Sequence, residues 1–305
     1  GSGFFGGGLL TTTSSTTVAM DRSTISNNTA RYGAGVDHYG VLTITNSTIS
    51  GNVASSSGGG AYINPGASLS ITNSTVANNR SSGVGTGLDN DGGTLIVRRT
   101  TVVGNVGATG GGIYSGGGTF TIGHSLVVGN TASLGPDMRV VGGTVTSEGY
   151  NILGSISGFT PNGTTDVTYT GALADIVQTS AGAVVLADNG GPTQTVALVH
   201  GSAAYLTGGP NPGGLLDQRG RLRGANISVG AYDADPTTLS HVVTTTADNR
   251  VIGSSQNSLR SAIWAINQGY GSGNAVTFDS AGVFATAQTI TLGLGELVPS
   301  ESMSI

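Results

Sequence analysis

The stretch NSTISGN, residues 46–52, returns along the chain in close variants: RSTISNN at 22–28, NSTVANN at 73–79, RTTVVGN at 99–105 and HSLVVGN at 124–130. A second phrase runs between the copies: GGGLL at 6–10, GAGVD at 33–37, GGGAY at 58–62, GTGLD at 85–89 and GGGIY at 110–114. Its third glycine falls at Gly8, Gly35, Gly60, Gly87 and Gly112. Between the phrases lies a short alternating apolar run: Val18/Met20, Leu42/Ile44, Leu69/Ile71, Leu95/Val97 and Phe120/Ile122. Each unit of about 25 residues therefore carries three strand-like pieces separated by Gly, Ser or Asn turns.

A fixed period of this size marks a solenoid, in which a unit buries its apolar face only by stacking on its neighbours. Three strands per coil predict an all-β chain folded as a parallel β-helix. Parallel crossovers strongly favour the right hand. Equivalent residues then pile up at the strand spacing of ~4.8 Å. Ile25, Ile49, Val76, Val102 and Val127 form one interior column on this reading. Asn28, Asn52, Asn79, Asn105 and Asn130 form another, at a turn where asparagine tolerates left-handed geometry and bonds its stacked copies. The paired glycines allow a tight corner that a Cβ resists. A degenerate sixth rung is readable around 138–154.

Composition agrees with a regular β surface. Glycine supplies 54 of 305 residues, more than twice the usual ~7%. Only 9% are charged, against ~25% in ordinary globular proteins. There is no lysine, and the net charge of −5 argues against nucleic acid or an anionic membrane as the main partner. Cysteine is absent, which excludes disulfides and thiolate metal sites. No signal peptide and no apolar run of transmembrane length is readable. The chain opens without Met, so missing targeting signals say nothing about location.

The alternation of the GG[GA] phrase with [IV]xxN resembles the repeats of bacterial surface β-helix proteins, including polymorphic outer-membrane and adhesin-like groups. Residues 188–233, with DNGGPTQTVAL, GSAAYL, DQRGRLRG and ISVGAYD, resemble the choice-of-anchor module found after such β-helices. The match departs at Val196 and at Ala204–Leu206. Residues 241–305 resemble the module that opens such a β-helix: a strand at VVTTTADN (242–249), a short amphipathic helix at NSLRSAIWAINQ (257–268), then strands AVTFD, QTITLGLGELV and SMSI. Leu259, Ile263 and Ile266 share one helical face, with Asn257 or Ser258 as N-cap. The implied organisation is β-helix coils over 1–155, a β module over 156–236 that continues or caps the solenoid, and an opening module with a capping helix over 237–305. In the family the opening module comes first, so the order here is permuted. Either the chain is a window on a tandem array, or separate chains stack head to tail with Leu259, Ile263, Trp264 and Ile266 at the joint.

Parallel β-helices include polysaccharide lyases and hydrolases, so acidic pairs need weighing. Asp37 and Asp89 occupy one column in alternate units, with Tyr62 between them, Tyr114 after them and His38 beside Asp37. Two rungs separate the carboxylates by about 9–10 Å, near the upper limit for an inverting glycosidase pair. The column also suits an exposed corner, and no other acid or base converges on it; no catalytic residue is assigned. GTGLDNDGG at 85–93 resembles a single calcium-binding nonapeptide, but such sites form between consecutive copies, so a polar turn is expected. Asp188–Asn189–Gly190 is read the same way. Arg219, Arg221 and Arg223 are expected to pair with Asp217 or Asp233 rather than to bind an anion. His38, His124, His200 and His241 lack ligand spacing, so neither metal nor cofactor is expected.

The expectation is therefore a non-enzymatic, extracellular or cell-surface bacterial protein that is structural or adhesive. It would assemble end to end, with itself as main partner and with surface glycans or neighbouring cells as further ones. The alternative is a β-helix carbohydrate-active enzyme or a glycan-binding module.

Overall fold

A computed structural model describes residues 2–234, 241–250, 257–267, 274–299 and 302–305; the expected boundary at 236/237 lies outside them. From the first residues to Thr168 the chain winds as a parallel β-helix. Three sheets run along its axis. The first stacks Ser2–Phe5, Thr29–Tyr32, Val53–Ser57 and Arg80–Ser81. The second holds two rows, one through Leu9–Leu10, Val36–His38 and Ala61–Ile63, the other through Thr17–Asp21, Val41–Thr45 and Ser68–Thr72. These rows fuse into the long strands Leu88–Arg98 and Ile113–Gly123 and then separate again. The third runs from Thr24–Ser26 through Thr48–Ser50, Thr75–Ala77, Thr101–Val103, Leu126–Val128 and Ile152–Leu153 to Val167–Thr168.

A coil thus carries a further strand piece beyond the three read from sequence. The unread one follows the asparagine, at Thr29–Tyr32 and Val53–Ser57. Its inward residues are only Ala30 and Ala54, which pack with Ala34. Small side chains leave no apolar alternation to detect.

The register fixes the expected columns. Ile25 pairs with Ile49, Ile49 with Val76, Val76 with Val102 and Val102 with Val127. Beside them Leu42, Leu69, Leu95 and Phe120 fill the interior with almost no exposure.

The asparagine column is a continuous amide ladder. Asn28 Nδ2 donates to Asn52 Oδ1 at 3.0 Å, Asn52 to Asn79 at 2.9 Å, Asn79 to Asn105 at 2.9 Å and Asn105 to Asn130 at 2.8 Å. The second amide hydrogen reaches a backbone carbonyl, Ile25 for Asn52 and Ile49 for Asn79. Each Oδ1 also accepts the backbone N–H of the preceding asparagine. No buried amide group in the ladder interior is left unmet, which is why nothing but asparagine suits the position. The left-handed residue of this turn is the one before it, contrary to the sequence expectation: Asn27, Gly51, Asn78, Gly104 and Gly129. The column residue itself is an interior bonding device.

A second ladder was not foreseen. Ser23 N–H donates to Ser47 Oγ, Ser47 N–H to Ser74 Oγ, Thr100 N–H to Ser125 Oγ and Ser125 N–H to Asn151 Oδ1. Both ladders end on a carboxylate. Asp137 Oδ1 accepts from Asn130 N and Nδ2, and its Oδ2 accepts from Ser155 N. Asp166 Oδ1 accepts from Asn151 N and Nδ2. A carboxylate offers acceptors only, so it closes a run of donors that all point one way along the axis. Asp137→Ala orphans the two buried donors of Asn130 at about 1–3 kcal/mol each and frees the less buried N–H of Ser155. We expect its urea midpoint to fall well below that of Asp166→Ala, whose ladder end is less buried.

The third glycine of the phrase is required by stacking, not by backbone angle. A Cβ on Gly8 would lie 2.7 Å from the carbonyl oxygen of Gly35, and closer still to the next carbonyl at Gly35, Gly60, Gly87 and Gly112. The left-handed corner belongs to the first glycine, at Gly6, Gly33, Gly58, Gly85, Gly110 and Gly135.

Residues 156–168 add a partial coil, and the chain then turns back. Residues 173–234 pack sideways on the outer face of the third sheet, where Ala77, Val103, Val128 and Ile152 meet Ile176, Val196, Leu198 and Tyr232. Side-chain bonds tie it to successive coils: Thr48 Oγ1 to Gln194 O, Thr75 Oγ1 to Gln218 Oε1, Asn73 Nδ2 to Leu216 O, and Ala231 N to Thr101 Oγ1. The segment is thus a lateral strap rather than an end cap. Arg219 and Arg223 stay inside it. Arg219 pairs with Asp217 at 2.7 Å and lies over the Tyr232 ring, and Arg223 reaches Asp233 at 3.7 Å and the carbonyl of Gly230.

In the last unit Val242–Val243 pairs in parallel with Thr277–Phe278, and Ala275 bridges Ser304. The helix α1, Leu259–Asn267, is capped by Ser258, whose Oγ accepts the N–H of Ser261. Ile263 and Ile266 are buried with Val243 and Val276, and Leu259 packs against them. Trp264 points the other way, stacked on His200 at 4.6 Å and edge-on to Tyr205. Leu259, Ile263, Trp264 and Ile266, the residues expected at a head-to-tail joint, pack within this chain, with Leu259 and Trp264 half-buried. The expected strand at 288–298 forms no ladder with any described residue.

Candidate functional site: a carboxylate and tyrosine column

The second sheet aligns Leu10, Asp37, Tyr62, Asp89, Tyr114 and Arg139 in one register column. Neighbouring positions Val36, Ala61, Leu88, Ile113 and Met138 belong to the interior core, so the column points away from it. An exposed corner was one reading of this column. Asp37 and Asp89 are instead fully buried. The cause is local. The left-handed glycine at the head of each phrase folds the chain back against the outward side chain, so closely that a Cβ added at Gly33 would lie 2.7 Å from Asp37 Cβ and one at Gly58 2.6 Å from Tyr62 Cβ. Tyr62, one coil from each carboxylate, adds its bulk between them.

Burial sets the electrostatics. It pushes Asp37 up to about 6, partly opposed by the Asn64 amide that donates to Oδ1 at 2.6 Å. Burial, then the nearby Asp91 charge, holds Asp89 well above the carboxylate range. Neither oxygen of Asp89 meets a hydrogen-bond donor. Tyr62 Oη donates to Asp91 Oδ2 at 2.6 Å, and burial, then this bond, raises the phenol. His38 does not join Asp37. It lies in register with Ile63 and Asn90, on the interior side, where its Nδ1 bonds Thr11 Oγ1 at 2.9 Å and burial lowers its pKa.

The arrangement splits the two carboxyls: burial and the Asp91 charge favour the protonated form of Asp89, whereas the Asn64 amide supports the ionised form of Asp37. Such a split is what an acid and base pair needs. A buried carboxyl without a partner also costs stability, and local rules are broken in this way at functional positions. The GTGLDNDGG segment proves to be a bend within Leu88–Arg98: Asn90 Oδ1 accepts the N–H of Gly93, and Asp91 serves Tyr62. Among the described residues no group of three His, Cys, Asp or Glu is placed to hold a metal. No helix among them is long and apolar enough to cross a membrane.

Sequence reasoning missed the ladder-ending Asp137 and Asp166 and the lateral strap. A signal for the strap exists. The outward position of the third sheet drifts from Ser26 and Ser50 to Ala77, Val103 and Val128, and these apolar residues are the ones covered.

Residues 6–154, just under half of the chain, match the family model described as a right handed beta helix region. The coils are thus those of a right-handed parallel β-helix, a class that includes both enzymes and non-enzymes. A search of curated proteins and of solved structures found no match.

Proposed function

We propose that this chain is a structural and adhesive segment of a bacterial cell-surface β-helix protein, joined end to end with further coils. The observation that carries this is the last unit. It pairs Val242 with Thr277 and Ala275 with Ser304 in parallel, in steps a little longer than those of the main solenoid, so it has the order of a coil being started. Its run between Phe278 and Ser304 exposes Leu292, Leu294 and Val298, and Ile305 follows, also exposed; these are apolar residues that a further coil would bury. The same next coil is supplied either by a continuing chain or by a second copy. The resemblance of residues 188–233 and 241–305 to surface-protein modules supports the location, as does a lysine-free, hydroxyl-rich composition.

Electron microscopy of the 305-residue chain across a concentration series tests the joint. Filaments with a regular axial repeat are expected, and Leu292→Asp with Ile305→Asp should shorten them to single rods. A chain that stays monomeric at every concentration removes the non-covalent version. A second reading rests on Asp37 and Asp89: a carbohydrate-active or glycan-binding β-helix. It requires release of new reducing or unsaturated ends from a polysaccharide panel, lost in Asp89→Asn.

A further inference from the structure

Two cavities, about 300 and 170 Å³, open between the lateral strap and the last unit and share Arg250 and Leu294 as a common wall. The larger is lined by His200 and Trp264 on one side and by Leu294, Leu297 and Val298 on the other. Its walls are held in place. Asp248 binds Arg260 through two bonds of 2.7 and 3.0 Å and accepts the N–H groups of Gly293 and Leu294 at 2.8 Å each. Arg260 in turn donates to the carbonyls of Gly295 and Glu296. This network fixes the 293–296 segment over the opening and neutralises Arg260.

Two polar groups remain turned to the cavity. Among the described residues the Arg250 side chain pairs only with the exposed Asp175, at 4.0 Å, and it is 42% exposed. His200 Nε2 is buried without a hydrogen-bond partner. We infer that this cleft is a binding site for a small monocarboxylate with a flat apolar body, its ring against Trp264 and Val298 and its carboxylate set on Arg250. Cavities of this size, mostly apolar with a few placed polar groups, are the usual form of a small-molecule site. A guanidinium recognises a carboxylate through paired donors. Glu296 also lines the cavity, and its charge disfavours a dianion such as phosphate. Burial, then Arg250, pushes the His200 imidazole down to about 4, so it is neutral at pH 7 and available for one further hydrogen bond.

Trp264 is the only tryptophan of the chain, so its fluorescence reports this cleft alone. The intact chain is titrated with phenylacetate, phenylacetamide and acetate. Phenylacetate should give a saturable change. Phenylacetamide, which lacks the charge, and acetate, which lacks the body, should each bind at least about tenfold more weakly, the ratio expected for one charge-assisted bond. Arg250→Gln should weaken phenylacetate by a similar factor with an unchanged thermal midpoint, because among the described residues its guanidinium makes only that exposed 4.0 Å contact. No saturable change, equal binding of phenylacetamide, or wild-type affinity in Arg250→Gln overturns the assignment.

Discussion

Gly87→Ala should lower stability by about 3–5 kcal/mol, the upper range of overpacking plus a lost ladder bond. The new Cβ would sit on the carbonyl oxygen of Gly112, with Asn105 Nδ2 at 3.1 Å and Val102 Cγ1 at 3.2 Å. That carbonyl accepts the N–H of Leu88 at 2.9 Å, so the coils cannot part at this point without breaking the ladder. A drop of that size is a large share of the 5–15 kcal/mol that holds a typical domain. Gly66→Ala is the control. Its φ is +80° and nothing lies within 4 Å of the added carbon, so only left-handed strain of about 1 kcal/mol opposes it. Urea unfolding of both variants checks the contrast. Equal losses would mean that backbone angle, not stacking contact, selects the third glycine.

Between pH 4 and pH 8 Asp37 should withdraw about 3 kcal/mol of stability, a contribution that Asp37→Asn should abolish. His200 and His38, both lowered by burial, act in the opposite direction over the lower part of that window. The folded pKa of Asp37 is raised from 3.8 to about 6, so the native state holds a proton that the unfolded state has released across this window. The Asp37 contribution is then fullest below pH 4 and is lost as pH rises through 6. A rise of that size corresponds to about 3 kcal/mol. Asp89, raised further by burial and by Asp91, adds to the slope in the same direction. Asp21, Glu148 and Asp248 are lowered, by side-chain bonds from Asn46, Arg98 and Arg260 respectively. Their contribution is present above the ordinary carboxylate range and is lost as pH falls from that range through their lowered values. Denaturant midpoints at several pH values read the slope. An unchanged slope in Asp37→Asn would show that water reaches this carboxylate.

The repeat was legible because its most regular positions face inward, where stacking admits one chemistry only. Asn52, Asn79 and Asn105 recur for their hydrogen bonds, and Gly35, Gly60 and Gly87 recur for lack of room. Outward positions carry no such repetition. Whether Asp37 and Asp89 meet water depends on the size of Tyr62 one coil away and on the bend at Gly33 and Gly85, which no spacing rule reports. The alanine strand around Ala30 and Ala54 was hidden by its small side chains. The contact of Trp264 with His200 was not legible, because His200 lies in a different module 64 positions earlier in the chain.

The lateral strap has a consequence for loading. A bare β-helix pulled from one end sheds its coils singly, each ladder breaking in turn. Here Gln218 bonds to Ser47, Thr48 and Thr75, while Ala231 bonds to Thr101 and Gly230 to the carbonyl of His124. One segment therefore fastens four successive coils. Tension reaching any of these coils is shared with the others through shear of the strap. Stretched in a single-molecule force instrument, the region from Ser47 to His124 should yield in one large rupture, not in a train of small ones.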